Sequence, residues 1–485
     1  MSKHQLSNFI GGKFVDPINS AYLDSCNPAT GQVFAKVPRS GKEDVDDAVS
    51  CALKAFPSWS EQPTQFRSKV MLKIADILES RLDEFAKLES QDQGKPITVA
   101  KAIDIPRAIY NFRFFATYIL HMVEEQRTLD GPIRALSYVQ HMPVGVAGLI
   151  SPWNLPLYLL TWKIAPAIAF GNTCVAKPSE LTSLTAYKLC GVFNEAGLPP
   201  GVVNIVFGLG PDAGEALVCH PEVPLISFTG STLVGNRIAE LTAPMCKKLS
   251  LELGGKNAGI VYEDVDLDEC VDACIRSSFS NQGEICLCTS RLYIHHSIYN
   301  DFLNRFVTAA RNFRVGDPSD PNVNMGALVS AQHYEKVKGY IELAASSGGV
   351  VHCGLGVDEL PQDCRGGHYI APTVITGLTE SSPCIQDEIF GPVVCISSFQ
   401  TDEEVLKKAN GVRYGLCATL WTKDVNRALT ISRKLRVGTV WTNCWLVRDL
   451  HMPFGGMKMS GVGRESGADS KHFFTEAKTV CLRIK

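Results

Sequence analysis

The chain lacks the cysteine patterns that hold metals. Its seventeen cysteines include no CxxC pair and no His/Cys cluster with the spacing of metal ligands. An odd, scattered set of this kind is typical of a reducing compartment. The N-terminal MSKHQLSNFIGGKF has neither an apolar core nor a basic amphipathic face. We therefore expect no secretion or import signal and a cytoplasmic location.

An excess of charge of one sign is absent too. The chain has 47 Lys plus Arg against 50 Asp plus Glu, which argues against nucleic acid as a partner. Acidic and basic side chains are missing from residues 135–162, a length that could cross a membrane. Pro143, Pro152 and Pro156 would break a helix there. We therefore expect no membrane contact, and we interpret VGVAGLI (144–150) as a buried strand.

Apolar periodicity divides the rest into helical and sheet-forming regions. Residues 43–92 place apolar side chains at spacings of three and four, which predicts amphipathic helices. From residue 144 short β-rich runs alternate with helical segments, which is typical of parallel, doubly wound sheets. The runs are VGVAGLI, TCVAKP, VVNIVFG, PLISFTG and KLSLELGG, then AGIVY, SRLYIHHSI, PTVIT and VVCISSF. We therefore predict two α/β domains in tandem.

Two further stretches, residues 128–142 and the C-terminal AKTVCLRIK, are predicted to be isolated strands of marginal stability. Unpaired strand edges suit pairing with another subunit. We therefore expect a homodimer or a homotetramer.

Two glycine-bearing loops follow predicted strands, as cofactor loops do. FGLGPDAGEA (207–216) spaces its glycines as GxGxxxG rather than GxGxxG, so Gly210 by itself indicates only a tight turn. SFTGSTLVG (227–235) is the better candidate. Gly230 lets backbone approach a phosphate, and Ser231 adds a hydroxyl at the start of a predicted helix.

VAKPSE (175–180) places Lys177 and Glu180 where a strand leaves the sheet. This is the edge at which α/β proteins bind ligands. A glutamate there could hold both hydroxyls of a ribose and would repel a 2′-phosphate. A solvated surface pair is the competing interpretation.

Cys286 and Cys288 lie close together in NQGEICLCTSR (281–291). Free cysteines are usually buried structural residues. The polar NQGEIC instead predicts a loop or a helix start, where a backbone dipole lowers the pKa of a thiol. The spacing does not tell which sulfur reacts, since residues two apart point to different faces.

Two polar residues lie in surroundings where a task is expected. Glu252 in LELGGKN (251–257) lies in an apolar strand, where burial would raise its pKa and suit a general base. A salt bridge to Lys247 or Lys256 is the alternative. Asn154 in SPWNLP (151–156) is mounted rigidly between prolines, as an amide donor to an oxyanion or simply as a turn asparagine.

Seven motifs, in order and over nearly the whole chain, resemble the aldehyde dehydrogenase superfamily. They are SPWNLP, AKPSE, FTGST, LELGGKN, NQGEIC, EIFGPV (388–393) and PFGGMKMSGVGRE (453–465). The resemblance implies an α/β fold with a Rossmann-like NAD-binding domain and a second α/β catalytic domain. A small β oligomerisation domain is implied as well. The implied ranges are 1–124 with 144–254, 255–455, and 125–143 with 470–485.

The resemblance also implies roles. Cys286 matches the nucleophile, Glu252 the general base, and Asn154 an oxyanion donor beside the Cys286 backbone N–H, whereas Cys288 matches a non-catalytic neighbour. NAD is the implied cofactor, without a metal. The positions implied to hold NAD are Pro152, Trp153, Lys177, Glu180, Gly210, Gly230, Ser231, Gly235, Leu253, Glu388 and Phe390.

The region DIPRAIYNFRFF (104–115) and the region WTNCWLVRDL (441–450) are similar to family members that oxidise 2-aminomuconic semialdehyde. Arg107 and Arg448 match two arginines that clamp a substrate carboxylate there, a task that suits the planar guanidinium. Tyr158, Leu159 and Trp162 are expected to line the substrate tunnel, although aromatic clusters are more often core.

Competing interpretations exist for both arginines. Arg107 could pair with Asp104 one helical turn earlier, and Arg448 with its neighbour Asp449. Arg113 could take the place of Arg107.

Three functions follow. The first is NAD-dependent oxidation of 2-aminomuconic 6-semialdehyde to 2-aminomuconate, in the kynurenine route of tryptophan breakdown. The second is oxidation of another aldehyde, such as hydroxymuconic semialdehyde or the carboxylate-free retinal. The third is a catalytically silent structural protein, such as the superfamily members found in eye lenses. The joint presence of Cys286, Glu252, Asn154 and Lys177 argues against the third.

Overall fold

The molecule is described from a computed structural model, over residues 4–357 and 359–484. The predicted domain ranges include residues 1–3, 358 and 485, and the N-terminal segment includes residues 1–3, all of which lie outside the described residues. The amphipathic pattern of residues 43–92 is confirmed as helices Lys42–Ser60, Thr64–Ser80 and Leu82–Gln93, and helix Ile105–Tyr118 follows them. Their apolar faces are buried against the first of two large sheets.

Within the described residues, the first sheet has eight strands, of which the five central ones are parallel. All five apolar runs predicted between residues 144 and 255 are therefore confirmed as strands. The spatial order is Gly461–Val462, Lys248–Glu252, Leu225–Thr229, Val146–Ile150, Thr173–Lys177, Val203–Ile205, Asn8–Ile10 and Lys13–Val15. The connecting helices are Pro156–Ala169, Leu184–Ala196, Glu215–Cys219 and Thr232–Thr242.

The second sheet, over the described part of the chain, has seven strands and is parallel except at one edge. The four predicted runs after residue 257 are confirmed, and three strands are added that the patterns did not reveal. The order is Val350–Leu355, Ala371–Thr376, Val393–Phe399, Thr289–His295, Asn257–Val261, Cys417–Trp421 and Thr439–Thr442. Its helices are Leu267–Phe279, Tyr299–Arg311, Ala331–Ser346, Asp402–Asn410 and Val425–Lys434.

The stretches predicted as isolated strands are paired with each other, which corrects that prediction. Thr475–Arg483 runs antiparallel to Arg134–Pro143, which also pairs with Gln126–Asp130. Backbone groups that a lone strand would leave to water thus find partners far away in the sequence. We call these three strands the small sheet. Its outer strands are Gln126–Asp130 and Thr475–Arg483.

Smaller elements lie outside the two large sheets. They include the strands His4–Gln5, Tyr22–Cys26 and Val33–Pro38, the strand pair Tyr414–Gly415 and Met457–Lys458, and the helix Gly467–Phe474. Among the described residues, no helix has both the length and the apolar character needed to cross a membrane. The division into three domains stays a prediction, and Gly461–Val462, which lies outside its ranges, joins the first sheet.

Candidate active site

Four central strands of the first sheet end at one edge, and each is followed by a motif that the sequence singles out. The register pairs Ile150 with Lys177 and Thr229 with Glu252, so the strand ends are level. Because parallel strands present their carboxyl ends together, the loops SPWNLP, AKPSE, FTGST and LELGGKN meet there. Helix Thr232–Thr242 begins at the same edge.

A cavity of about 430 Å³, the outer cavity, opens over this edge. Lys177 and Glu180 lie on its wall, with 3.3 Å between Nζ and Oε2. Lys177 is buried, and burial lowers its pKa, so the pair is not the solvated surface pair of the competing interpretation. The predicted cofactor residues on the wall are Pro152, Trp153, Lys177, Glu180, Gly210, Gly230 and Ser231.

The outer cavity continues into an inner cavity of about 250 Å³, because both share the wall formed by Pro152, Trp153, Thr229, Gly230 and Ser231. The inner wall brings together the predicted Asn154, Leu159, Glu252, Leu253, Cys286, Glu388 and Phe390. Predicted cofactor positions and predicted catalytic positions therefore meet in one continuous cleft.

Two glycines show how closely this cleft is packed. A β-carbon on Gly254 would lie 2.2 Å from Glu388 Oε2. Gly235 lies off both cavity walls, buried in helix Thr232–Thr242, where a β-carbon would lie 2.4 Å from the side chain of Leu253. Gly235 therefore leaves room for the side chain of Leu253, which lies on the inner wall of the cleft.

Cys286 is half-buried on the inner wall, in a turn that leads into strand Thr289–His295. The turn follows three residues with left-handed backbone, Asn281, Gln282 and Gly283, with φ of 52°, 58° and 69°. The predicted loop is confirmed, but the predicted helix start is wrong.

The electrostatics of the thiol differ from the prediction as well. Burial, followed by the charges of Glu252 and Glu388, raises the pKa of the Cys286 thiol rather than lowering it. No helix begins at the thiol to oppose this effect. The resting thiol is therefore protonated and needs a base. Cys288 is buried, with Sγ 3.7 Å from the carbonyl oxygen of Ser280.

Glu252 ends its strand with 5% of its surface exposed. Burial, followed by the charge of Glu465, raises its pKa to about 8. The salt-bridge alternative is wrong, because Lys247 donates to two backbone carbonyls. The Nζ atom of Lys256 has no hydrogen-bond partner among the described residues.

Asn154 is buried and held from both sides. Its Nδ2 donates to the carbonyl oxygen of Glu284 at 2.8 Å. Its own backbone carbonyl accepts from Lys95 Nζ at 3.0 Å and from Asn281 Nδ2 at 3.2 Å. A side-chain amide has two hydrogens, so one is left for a ligand in the inner cavity.

The two predicted substrate arginines lie on one aromatic ring. The Cζ atoms of Arg107 and Arg448 are each 5.4 Å from the centroid of Trp162. Arg107 also lies 5.0 Å from the Tyr158 ring, and Arg448 lies 3.7 Å from that of Phe454. Arg448 Nη1 donates to the Tyr158 hydroxyl at 3.4 Å.

Neither arginine pairs with the carboxylate that the competing interpretation assigned to it. Asp104 bonds Lys95, with Nζ 2.6 Å from Oδ2, and Asp449 bonds His451 at 2.9 Å. Within the described residues, the Nη2 atoms of Arg107 and Arg448 are buried without a hydrogen-bond partner. Buried cations normally have partners, so these two indicate an anionic ligand.

Arg113 is a different kind of residue. It forms surface ion pairs with Asp76 and Glu79, which excludes it from the arginine pair.

With this geometry established, comparison with known proteins decides the family. The model described as "Aldehyde dehydrogenase family" matches residues 14–480. The chain belongs to this family. The α/β fold class is thereby confirmed, together with the interpretation as an aldehyde-oxidising enzyme.

Individual relatives cover the chain almost completely. The 2-aminomuconic semialdehyde dehydrogenase of Danio rerio is 59% identical over 480 residues, covering 99% of this chain and 98% of that protein. The 2-hydroxymuconic semialdehyde dehydrogenase of Pseudomonas sp. (strain CF600) is 43% identical over 485 residues, covering 99% and 100%. The NAD+ complex of an aldehyde dehydrogenase from Bacillus cereus has a TM-score of 0.95 at 38% identity, covering 99% and 97%.

Sequence reasoning assigned no role to several residues of this aldehyde dehydrogenase site. Glu465 accepts hydrogen bonds from Trp162 Nε1 and Lys163 Nζ, next to Glu252. The sequence does distinguish Glu465, because this residue ends the family motif PFGGMKMSGVGRE (453–465). His333 and Lys336 lie on the inner wall from helix Ala331–Ser346, where nothing in the sequence distinguished them from a solvated face.

Proposed function

We propose that this protein oxidises 2-aminomuconic 6-semialdehyde to 2-aminomuconate with NAD, in the kynurenine route of tryptophan breakdown. The observation that carries the proposal is the pair of guanidinium groups near Trp162, each with a buried Nη2 that has no hydrogen-bond partner among the described residues. A six-carbon semialdehyde with a carboxylate at the far end provides the anion for that pair and the carbonyl for Cys286. The named relatives support the same substrate class.

The continuous cleft fits NAD. Glu180 at the outer end offers a carboxylate to the ribose hydroxyls, with Lys177 beside it. Ser231 offers its backbone N–H at the start of a helix, where a pyrophosphate is favoured. The N–H of Gly230 donates to the carbonyl oxygen of Glu252 at 3.0 Å, so Gly230 contributes the close approach of its backbone instead. Glu388 and Phe390 would hold the nicotinamide end in the inner cavity. When bound, NAD supplies the hydride acceptor.

The chain's own residues then carry the acyl chemistry. Glu252 takes the proton of the Cys286 thiol, and Sγ forms a bond to the aldehyde carbon. The carbonyl oxygen becomes an oxyanion, held by the Asn154 amide and by the Cys286 backbone N–H. One such donor contributes about 3 kcal/mol to transition-state stabilisation.

Release of the product needs the base a second time. After oxidation the acyl group is a thioester on Cys286, and a water molecule must attack it. Glu252 first releases the thiol proton to solvent and then takes a proton from that water as the new C–O bond forms. Breaking the C–S bond returns the sulfur and gives the carboxylic acid. A pKa near 8 suits a base that must accept and return protons near neutral pH.

Oxidation of retinal and a silent structural role have weaker support. Retinal has no carboxylate for Arg107 and Arg448, so their buried Nη2 atoms would stay without a hydrogen-bond partner among the described residues. A silent structural protein has no need for a thiol and a raised-pKa carboxyl on one cavity wall. Hydroxymuconic semialdehyde carries the same far carboxylate, so it tests the clamp equally well.

The test is NADH formation by purified protein with freshly generated 2-aminomuconic semialdehyde, compared with retinal. We expect a strong preference for the muconic substrate and no turnover by Cys286→Ala. Arg448→Ala should lose about tenfold or more in kcat/KM for the muconic substrate, as expected for a charge-assisted hydrogen bond. If retinal is oxidised equally well and Arg448→Ala has an unchanged kcat/KM, the proposed substrate is refuted, although the protein is still an aldehyde dehydrogenase.

We further infer a homodimer or homotetramer in the cytoplasm. The small sheet exposes Leu129, Met142 and Leu482 by 46%, 43% and 50%, which suits a contact with a second copy. The seventeen cysteines are free thiols, as in a reducing compartment. Light scattering should give a dimer or tetramer for the wild type and smaller species for Leu482→Asp. A monomeric wild type would contradict the assembly.

A further inference from the structure

A fully buried asparagine, Asn111, stands behind one of the two substrate arginines. It lies one helical turn after Arg107 in helix Ile105–Tyr118. Its side-chain carbonyl accepts a hydrogen bond from Arg107 Nε at 3.0 Å. Its amide donates to the backbone carbonyl of Tyr158 and to the hydroxyl of Thr161, both at 3.1 Å. Asn111 therefore uses both ends of its amide to join Arg107 to the neighbouring helix of the site.

The neutrality of this contact matters. A carboxylate in the place of the Asn111 amide would orient Arg107 equally well but would cancel its charge. The amide orients the guanidinium and leaves the charge available. The buried Nη2 of Arg107 is accordingly without a hydrogen-bond partner in the described residues.

The other contacts of Arg107 restrict the same group without neutralising it. Its guanidinium lies near the rings of Tyr158 and Trp162, and aromatic faces attract a cation without carrying a net charge. The guanidinium of Arg448 lies near the Trp162 ring in the same way. Among these contacts, Asn111 makes the only directional one to Arg107 Nε that the described residues show.

We propose that Asn111 is a positioning residue that determines specificity for aldehydes with a carboxylate at the far end. It holds Arg107 in place by a neutral hydrogen bond, so that the substrate supplies the missing negative charge. This inference rests on the proposed function, in which Arg107 and Arg448 bind the substrate carboxylate.

The test compares two six-carbon conjugated aldehydes that differ at the far end. 2-Hydroxymuconic semialdehyde carries a carboxylate and a neighbouring hydroxyl there, and hexa-2,4-dienal carries only a methyl group. The variant Asn111→Asp keeps the size of the side chain and the acceptor for Nε, but adds a negative charge beside Arg107. We expect the ratio of kcat/KM between the two aldehydes to fall about tenfold or more, with the loss in KM for the carboxylate substrate.

A second variant guards against misfolding of the first. Asn111→Leu keeps the volume and removes the acceptor, so the same ratio should fall by a smaller factor. The matched control is Asn204→Asp, which also buries a carboxylate. Asn204 is buried in the first sheet, and its amide also makes two donor hydrogen bonds, in this case to two backbone carbonyls. This control should leave the ratio unchanged.

The variant Arg107→Met distinguishes a failure of the role proposed for Asn111 from a failure of the arginine clamp. If it lowers the ratio while Asn111→Asp and Asn111→Leu do not, the role of Asn111 is overturned and the clamp survives. If Arg107→Met leaves the ratio unchanged, the clamp is overturned, and the role of Asn111 with it. An equal loss in Asn204→Asp would show that any buried carboxylate damages the site, and would also overturn the role of Asn111.

Discussion

Exchanging Glu465 for glutamine should move the pH profile of turnover to lower pH. The charge of Glu465 is second only to burial among the causes that raise the pKa of Glu252 to about 8. A general base works only when it is unprotonated, so kcat of the wild type should rise with pH through about 8. Removing the neighbouring negative charge makes ionisation of Glu252 easier and lowers its pKa.

The size of the effect follows from Coulomb's law. Two like charges about 6 Å apart at an effective dielectric constant of about 20 repel by about 3 kcal/mol, which corresponds to about two pH units. Lys163, whose Nζ lies 3.3 Å from Glu465 Oε1, already neutralises part of that charge. We therefore expect the rising limb of the profile to move down by about one pH unit.

The assay is the pH dependence of kcat for NADH formation in the wild type and two variants. Lys163→Met is the control of opposite sign, because the charge of Lys163 lowers the pKa of Glu252 and its loss should move the limb up. General damage to the site would not move the two profiles in opposite directions. Profiles that stay in place, or that both move the same way, would refute the assignment of the limb to Glu252.

Three further predictions concern the cleft. Glu180→Gln should raise kcat/KM with NADP about tenfold relative to NAD, because the variant lacks the carboxylate that repels a 2′-phosphate. An unchanged ratio of kcat/KM between NADP and NAD would contradict the placement of Glu180 at the ribose. Gly235→Val should push Leu253 into the cleft, weakening NAD binding in a fluorescence titration and costing about 1–3 kcal/mol of stability. Glu252→Gln should stabilise the protein more at about pH 9 than at about pH 6, by about 2 kcal/mol, because a carboxyl with a raised folded-state pKa loses stability as pH rises through that pKa. Thermal denaturation at both pH values checks the last expectation, and a gain that does not grow with pH would contradict it.

Five strands of the first sheet and four of the second could be predicted because each is an apolar run that turn residues interrupt. Their loops could be predicted as site loops for the same reason, since parallel strands end at one edge. The pairing of Thr475–Arg483 with Arg134–Pro143 could not be predicted from local patterns, and only the family resemblance grouped the two segments. Each strand is unremarkable by itself, and a contact across more than 300 residues leaves no local pattern.

The electrostatic environment of the site was harder to predict than the identity of the residues that form it. The Cys286 thiol was expected to have a lowered pKa, yet the carboxyl groups of Glu252 and Glu388, brought from other parts of the chain, help burial to raise it. The competing interpretation paired Arg107 and Arg448 with near neighbours in sequence, but Asp104 pairs with Lys95 and Asp449 with His451. A pKa depends on distances between groups that folding brings together, and a sequence shows only the local ones.

The site holds two sets of buried groups that the free protein leaves electrostatically incomplete. Glu252 is a carboxyl whose ionisation is opposed by burial and by Glu465, and Arg107 and Arg448 are cations with buried N–H groups unpartnered in the described residues. Both arrangements cost folding free energy. The proposed substrate relieves the second arrangement directly, because its carboxylate pairs with the two arginines. The reaction also provides Glu252 with protons, which a carboxyl of raised pKa readily accepts. Features that disfavour the free protein are thus the ones that would favour this substrate over a neutral aldehyde.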